Sequence, residues 1–337
     1  MPKYRGRSEF LIDIQKFRGF SIIFIIVGHC LSAFDWVSSP NIELILKRFF
    51  ANGTIFFIFI SGYLFEHLSG RYQAIGYFKL KFKYVLVPYI FVSVIPVAGI
   101  IWMGRRAGLR ADFFEQPYWQ QALDLILTGG HVTPFWFIPT LCVFFLASPL
   151  LHAVFKDKFS YCVLPALLIF SFLVPRGIQQ PVQSFIHFLP IWVAGMACCR
   201  FRWRLNFWYK EYYLIAYVFL GVLLIVDIFY AEGSHGYFSF LGKLLMSMLL
   251  LNVMRRDSVP EGGFLTVMGA LSFGVFFVHS VVISIIKAGV MMIFDSYPSV
   301  SVFGVALFAL LICLISVVIV KFFKLFFGAH SRYLVGV

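Results

Sequence analysis

Ten mostly apolar stretches, each near the roughly 20 residues a helix needs to cross a bilayer, recur along this chain of 337 residues. They run over about 17–36, 48–67, 82–103, 134–154, 159–175, 183–199, 212–230, 237–254, 264–286 and 300–323. With no water in the hydrocarbon, each segment must satisfy its own backbone hydrogen bonds, so each is expected to be helical. Only 13% of the residues are charged and 61% are hydrophobic, against roughly 25% charged in a soluble domain. The expected fold is therefore an all-α polytopic membrane bundle of about ten transmembrane helices, forming one domain over 1–337. The fifth and sixth stretches are short, and Pro175, Gly177 and Pro181 between them forbid a continuous helix.

The basic residues set the orientation. Most of the 28 Lys and Arg fall in connections that share a side once the N-terminus is inside: Lys3, Arg5 and Arg7, then Arg71 to Lys83, Lys156 and Lys158, Arg200 to Lys210, Arg255 and Arg256, and Lys321 to Arg332. By the positive-inside rule both termini are expected in the cytoplasm. The 104–133 loop, with Arg105, Arg106 and Arg110, is the main exception, and long loops obey the rule weakly. Within it, Trp119 to Leu127 fits a short amphipathic helix on the outer surface. The basic N-terminus has no small-residue cleavage site after the first span, so that span is expected to remain as a helix.

The net charge of +13 suggests nucleic acid, but its distribution in short loops is that of a membrane protein facing anionic lipid. The six cysteines, Cys30, Cys142, Cys162, Cys198, Cys199 and Cys313, lie in or beside apolar spans without C-x-x-C or metal-ligand spacing. They are expected to be free thiols, and no metal site is expected. Neither a phosphate-binding glycine loop nor a G-x-S-x-G elbow is present.

Chemistry concentrates in the first span. Arg18 and His29 are eleven residues apart, about three helical turns, so they share one face at a separation of about 16 Å along the axis. Polar groups at that depth are retained mainly where a cavity or partner receives them. His29 carries an imidazole suited to proton transfer near neutral pH. For Arg18 the plain alternative is an interfacial anchor, and for Lys79, Lys81 and Lys83 it is topology and anionic lipid. Ser61 and Gly62 fit close helix contact as well as site lining. Glu66, His67 and Asp227 are expected to be solvated near helix ends, and His187 to be a bonded bundle histidine.

Five patches carry a resemblance. These are Asp13-Ile-Gln-Lys-Phe-Arg18-Gly-Phe running to Val27-Gly28-His29, Phe56-Phe57-Ile-Phe-Ile-Ser61-Gly62-Tyr63-Leu64, Lys79-Leu-Lys81-Phe-Lys83 before Pro88-Tyr89, Phe135-Trp136-Phe137-Ile138, and Leu271-Ser272 through His279. In that order they resemble the integral-membrane acyltransferase-3 family, the O-acetylases of lipopolysaccharide, peptidoglycan, exopolysaccharide and lipid-linked glycans. Two departures stand out: the third patch has Lys where many members have Arg, and Thr140, Leu141 and Cys142 occupy the place of an acidic residue.

The resemblance implies a multi-pass protein of the bacterial cytoplasmic (inner) membrane that moves an acyl group, most simply acetyl, from cytoplasmic acetyl-CoA or another acyl-CoA to a glycan hydroxyl. His29 and Arg18 would be catalytic, with His29 as the base. Arg18, Lys79, Lys81, Lys83, Ser61 and Gly62 would hold the donor, and Trp136 and His279 would line the acceptor path. The partners implied are acyl-CoA, a surface or lipid-linked glycan and membrane lipid, not nucleic acid. The rival reading, a transporter of glycan or small anions, lacks internal repeats and matched Gly/Pro-broken helices.

Overall fold

The computed structural model describes residues 7–106, 108–110, 112–177, 179–230, 236–255, 262–299 and 301–336, with side chains from residue 12 onward except those of residues 203, 206 and 207. Lys3, Arg5, Arg256 and the Arg7 side chain, used above for orientation, lie outside that description. Every regular element described is helical: α1 (Arg7–Cys30), α2 (Pro40–Phe50), α3 (Thr54–His67), α4 (Ala74–Lys81), α5 (Val87–Met103), α6 (Tyr118–Thr128), α7 (Phe137–Val154), α8 (Leu164–Leu173), α9 (Pro181–Arg200), α10 (Arg202–Phe229), α11 (Tyr237–Met254), α12 (Phe264–Phe294), α13 (Val302–Phe327) and α14 (Ser331–Leu334).

Nine helical spans among the described residues are long and apolar enough to cross a membrane. The tenth crossing follows from parity. Arg18 on α1 and Gly336 after α14 line one cavity, so the first and last described helices meet at one end of the bundle, which fits an even number of crossings. The 3₁₀ turn Phe159–Val163 followed by α8 supplies it, extending about 25 Å against a hydrocarbon core of roughly 30 Å. α6 is the expected short helix, with Tyr118 and Trp119 exposed.

Helix starts differ from the sequence expectation because apolarity alone does not mark them. The second span begins at Pro40, whose ring suits the first helical turn, and breaks at Ala51–Gly53, where Asn52 adopts φ 58°. The third begins at Ala74 and passes through a π-helical turn, Phe82–Leu86, into α5. α10 begins at Arg202, with non-helical angles at Tyr212.

Two glycine seams set the helix packing. A Cβ on Gly19 would lie 1.9 Å from the Leu265 carbonyl oxygen, and one on Gly269 would lie 1.7 Å from that of Gln15. The same reciprocity joins α3 to α9, where Gly62 and Gly195 meet the carbonyl oxygens of Trp192 and Phe59 at 2.0 and 2.1 Å. Small residues that admit a neighbouring backbone are the usual basis of helix association in lipid. Around the seams the core is aromatic, with Phe144 stacked on Trp192 at 4.6 Å and Phe17 on Phe59 at 6.2 Å.

Two solvated residues of the sequence reading turn out to be interior. Asp227 is 3% exposed beneath α2, and Glu66 is 7% exposed and accepts from Arg200 Nη1 at 3.2 Å. Each lies near a helix end, but a basic residue from another helix covers it. All six cysteines are free.

Candidate active site

α1 runs unbroken from Arg7 to Cys30, so the Arg18–His29 stripe keeps its helical register. The two residues face different cavities at opposite ends of the bundle. Arg18 lines a cavity of about 890 Å³ at the end where α14 packs, and His29 lines one of about 710 Å³ at the other.

The first cavity is strongly basic. Lys81 from α4, Lys324 from α13 and Arg332 from α14 join Arg18, with no Asp or Glu among the described lining residues. Arg18 has no hydrogen-bond or ion-pair partner among the described residues. Four cations of one sign make a receptor for a polyanion: Lys81 and Arg332 lie over aromatic rings, but no carboxylate among the described lining residues offsets the charge. Ser61 lines this cavity from α3, as do Tyr84 and Tyr333, whose rings stack at 5.6 Å.

The other donor-side candidates separate from it. Lys79 is exposed on α4 outside the lining. Lys83 is exposed in the π turn, its Nζ 4.5 Å from the Tyr333 ring centre at the cavity rim. Gly62 is turned to α9, where it serves the glycine seam instead of the cavity. Ser61 and Gly62 are consecutive, about 100° of helix apart, which is enough to put them on different faces.

The second cavity is formed by the break between α2 and α3, the 129–133 loop, Trp136, Pro175, Arg176 and Gln179. Trp136 lines it, packed against Phe188 at 6.0 Å and under the Arg176 guanidinium at 3.9 Å. His279 does not line it. The α1–α12 seam turns that ring inward, fully buried and 5.5 Å from the His29 ring. Its Nδ1–H donates to the Val275 carbonyl at 3.0 Å, while Nε2 has no partner. The His29 ring itself makes no hydrogen bond among the described residues and is left to the cavity. His187 is the bonded bundle histidine expected, donating to the Val174 carbonyl at 2.9 Å.

The partition between the cavities is thin. Thr54 lines the His29 cavity and Phe57, one turn along α3, lines the Arg18 cavity. Trp136 and Phe137 divide in the same way, with the Phe137 ring 6.3 Å from Phe57 and 5.6 Å from Phe276. A layer of aromatic rings about one helical turn deep, some 5 Å, thus stands between the two.

Sequence reasoning missed five cavity cations, among them Lys47, which lines the His29 cavity and is paired with Glu43. Lys324 and Arg332 were absorbed into the topological charge, and Arg106 into the loop exception. Arg176 was passed over, although an arginine between Pro175 and Gly177 on the side poor in positive charge was a readable signal. Arg106 and Arg176 lie outside the spans, and burial pushes both guanidinium groups down, Arg176 to about 10.

The loop walling the His29 cavity rests on His131, which bridges the Leu125 carbonyl at 2.9 Å and Ser93 Oγ at 2.7 Å. Burial pushes His131 down to about 4, so it is neutral at pH 7. A base whose folded pKa lies below its free value contributes fully above about pH 6.5 and progressively less as pH falls toward 4, by up to about 3 kcal/mol. Thermal denaturation in detergent should therefore fall over that window, and His131→Gln should flatten the decline. An unchanged slope would exclude His131 as its source.

Comparison with known proteins follows the same lines. The acyltransferase-3 family, described as an acyltransferase domain, matches residues 12–321. No curated protein and no solved structure matches the chain. The matched segment begins before Arg18 and ends within α13, so it takes in the His29 cavity, most of α1 and the Arg18 and Lys81 side of the basic cavity, while Lys324 and Arg332 lie beyond it. This multi-pass membrane protein belongs to the acyltransferase-3 family and is a membrane acyltransferase.

Proposed function

We propose that the protein moves an acetyl group from cytoplasmic acetyl-CoA to a hydroxyl of a surface or lipid-linked glycan in a bacterial inner membrane. The observation that carries this reading is the pair of cavities on one helix stripe: a four-cation cavity at Arg18, and a histidine cavity at the far end, divided by one aromatic layer. With the termini in the cytoplasm, Arg18, Lys81, Lys324 and Arg332 receive the CoA phosphates, and the pantetheine arm runs past Ser61 and Phe57 toward His29. The acceptor enters from the opposite side. His29 takes the hydroxyl proton, the acceptor oxygen attacks the thioester carbonyl and the C–S bond breaks. The proton then passes from His29 to the leaving CoA thiolate, so the base is regenerated.

Purified protein in detergent, given labelled acetyl-CoA and candidate glycans, should transfer the label. Arg18 is about 16 Å from His29 along the axis, too far to touch the reacting carbonyl, so its contribution belongs to donor binding. Arg18→Ala should raise the acyl-CoA KM by about tenfold to a hundredfold, as loss of a charge-assisted phosphate contact implies. Arg18→Lys should recover part of this, since an ammonium keeps the charge but not the bidentate fork. Unchanged CoA affinity with kcat eliminated would move Arg18 to the reaction centre and overturn the donor-side assignment.

A further inference from the structure

Two arginines at the His29 cavity face no carboxylate among the described residues. Arg106 spends one donor on the Gly130 carbonyl, from Nε at 2.8 Å, and its remaining guanidinium N–H groups have no partner among the described residues. Arg176 lies over Trp136, and its buried Nε has no hydrogen-bond partner among the described residues. The acidic residues nearby are engaged elsewhere. Arg110 holds Asp112 and Asp124, each at 3.6 Å, and Lys47 holds Glu43 at 2.5 Å. Among the described residues no Asp or Glu lines the cavity.

Both arginines are also fixed in place. On either side of Arg176, the Pro175 carbonyl accepts from Gln183 Nε2 at 2.9 Å and the Gly177 carbonyl from Ser184 Oγ at 2.8 Å. Trp136 holds the guanidinium plane from below. Removing cations from water without a counter-charge costs free energy, and two pinned guanidinium forks sharing a cavity recover it when an oxyanion enters. Loop arginines that served only membrane topology would extend to the lipid surface, whereas Arg176 is stacked inward on Trp136.

We infer that the acceptor is an anionic glycan, and that Arg106 and Arg176 grip a carboxylate or phosphate group beside the hydroxyl presented to His29. The inference rests on the reading of this cavity as the acceptor site. One oxyanion chemistry has two sources here: an acidic sugar within the glycan, or the diphosphate that joins a glycan to a carrier lipid. Trp136, placed by sequence on the acceptor path, becomes a positioning residue for Arg176.

Binding to the full-length protein in detergent separates these cases without relying on activity. The probes are a glucuronate-terminated oligosaccharide, the same oligosaccharide with its carboxyl reduced, and a short isoprenyl diphosphate. At least one anionic probe should bind about tenfold or more tightly than the neutral one, and which one does so names the source. Arg106→Gln/Arg176→Gln should lose that advantage, and Arg176→Lys should keep part of it, which guards against a variant that merely misfolds. Equal binding of all three probes, undiminished binding by the double variant, or equal displacement by phosphatidylglycerol would overturn the proposal. In transfer assays, Arg176→Gln should raise the KM for the anionic acceptor about tenfold and leave the acyl-CoA KM unchanged. If no acceptor is acetylated at all, the acyl-transfer reading fails, while the binding measurements still decide the anion subsite.

Discussion

His29→Ala should lower acyl transfer by at least about a hundredfold, the lower end of what a positioned general base contributes, while leaving the protein folded. The ring lines a cavity and makes no hydrogen bond among the described residues, so its loss opens no unsatisfied contact and little buried apolar volume. The acyl-CoA KM should hold, because the basic cavity lies on the far side of the aromatic layer. His279 supplies the internal comparison. It is buried beside His29 and outside the cavity, so it can act only through its neighbour. His279→Ala should therefore reduce kcat in the wild type, yet add almost nothing to His29→Ala, since residues acting as a unit are non-additive. Transfer by His29→Ala at near-normal rate would remove His29 from the chemistry. An additive loss in the double variant would instead give His279 an independent role.

The fold was legible because its strongest determinants are local. Ten apolar runs and the asymmetry of Lys and Arg need no knowledge of tertiary contacts; nine reappear among the described residues as helical spans long enough to cross a membrane, and the other as the shorter apolar helix Phe159–Leu173. Element starts were less legible: Pro40–Phe50 and Ala74–Lys81 carry enough polar residues to look like loops, and only packing makes them helical. The site was half legible. Arg18 and His29 share a helix, so a spacing of eleven residues predicts their alignment, and Lys81 and Ser61 followed from adjacent patches. Residues whose role depends on which helix faces which were not accessible. Gly62 is separated from Ser61 by the α9 seam, His279 is turned from the cavity by α12, and Arg176 meets Trp136 only through a turn fixed by Gln183 and Ser184. Asp227 and Glu66 looked wet for the same reason, since the arginines that cover or pair with them arrive from distant segments.

That dependence on helix facing makes Gly269 the most consequential residue outside the cavities. Its Cβ position lies 1.7 Å from the Gln15 carbonyl oxygen and 2.5 Å from the carbonyl carbon, and helix backbone cannot yield as a flexible side chain can. Gly269→Leu must push α12 from α1 along a seam that also includes Gly19 against Leu265, and the folded protein should be largely lost. Gly269→Ala should already cost more than the roughly 1–3 kcal/mol typical of overpacking, seen as a fall in the thermal midpoint of purified protein. Gly289, in the same helix, has nothing within 4 Å of its Cβ position. Gly289→Ala should be neutral or stabilising by up to about 1 kcal/mol, because alanine loses less backbone entropy in a helix. The contrast separates close approach from any general intolerance of α12 to a methyl group. It also reaches the chemistry, because the seam sets the 5.5 Å separation of the His29 and His279 rings. Gly269→Ala protein that survives purification should lose kcat beyond its loss of folded fraction. If Gly269→Leu and Gly289→Leu are equally stable and equally active, α1 and α12 do not meet along this seam.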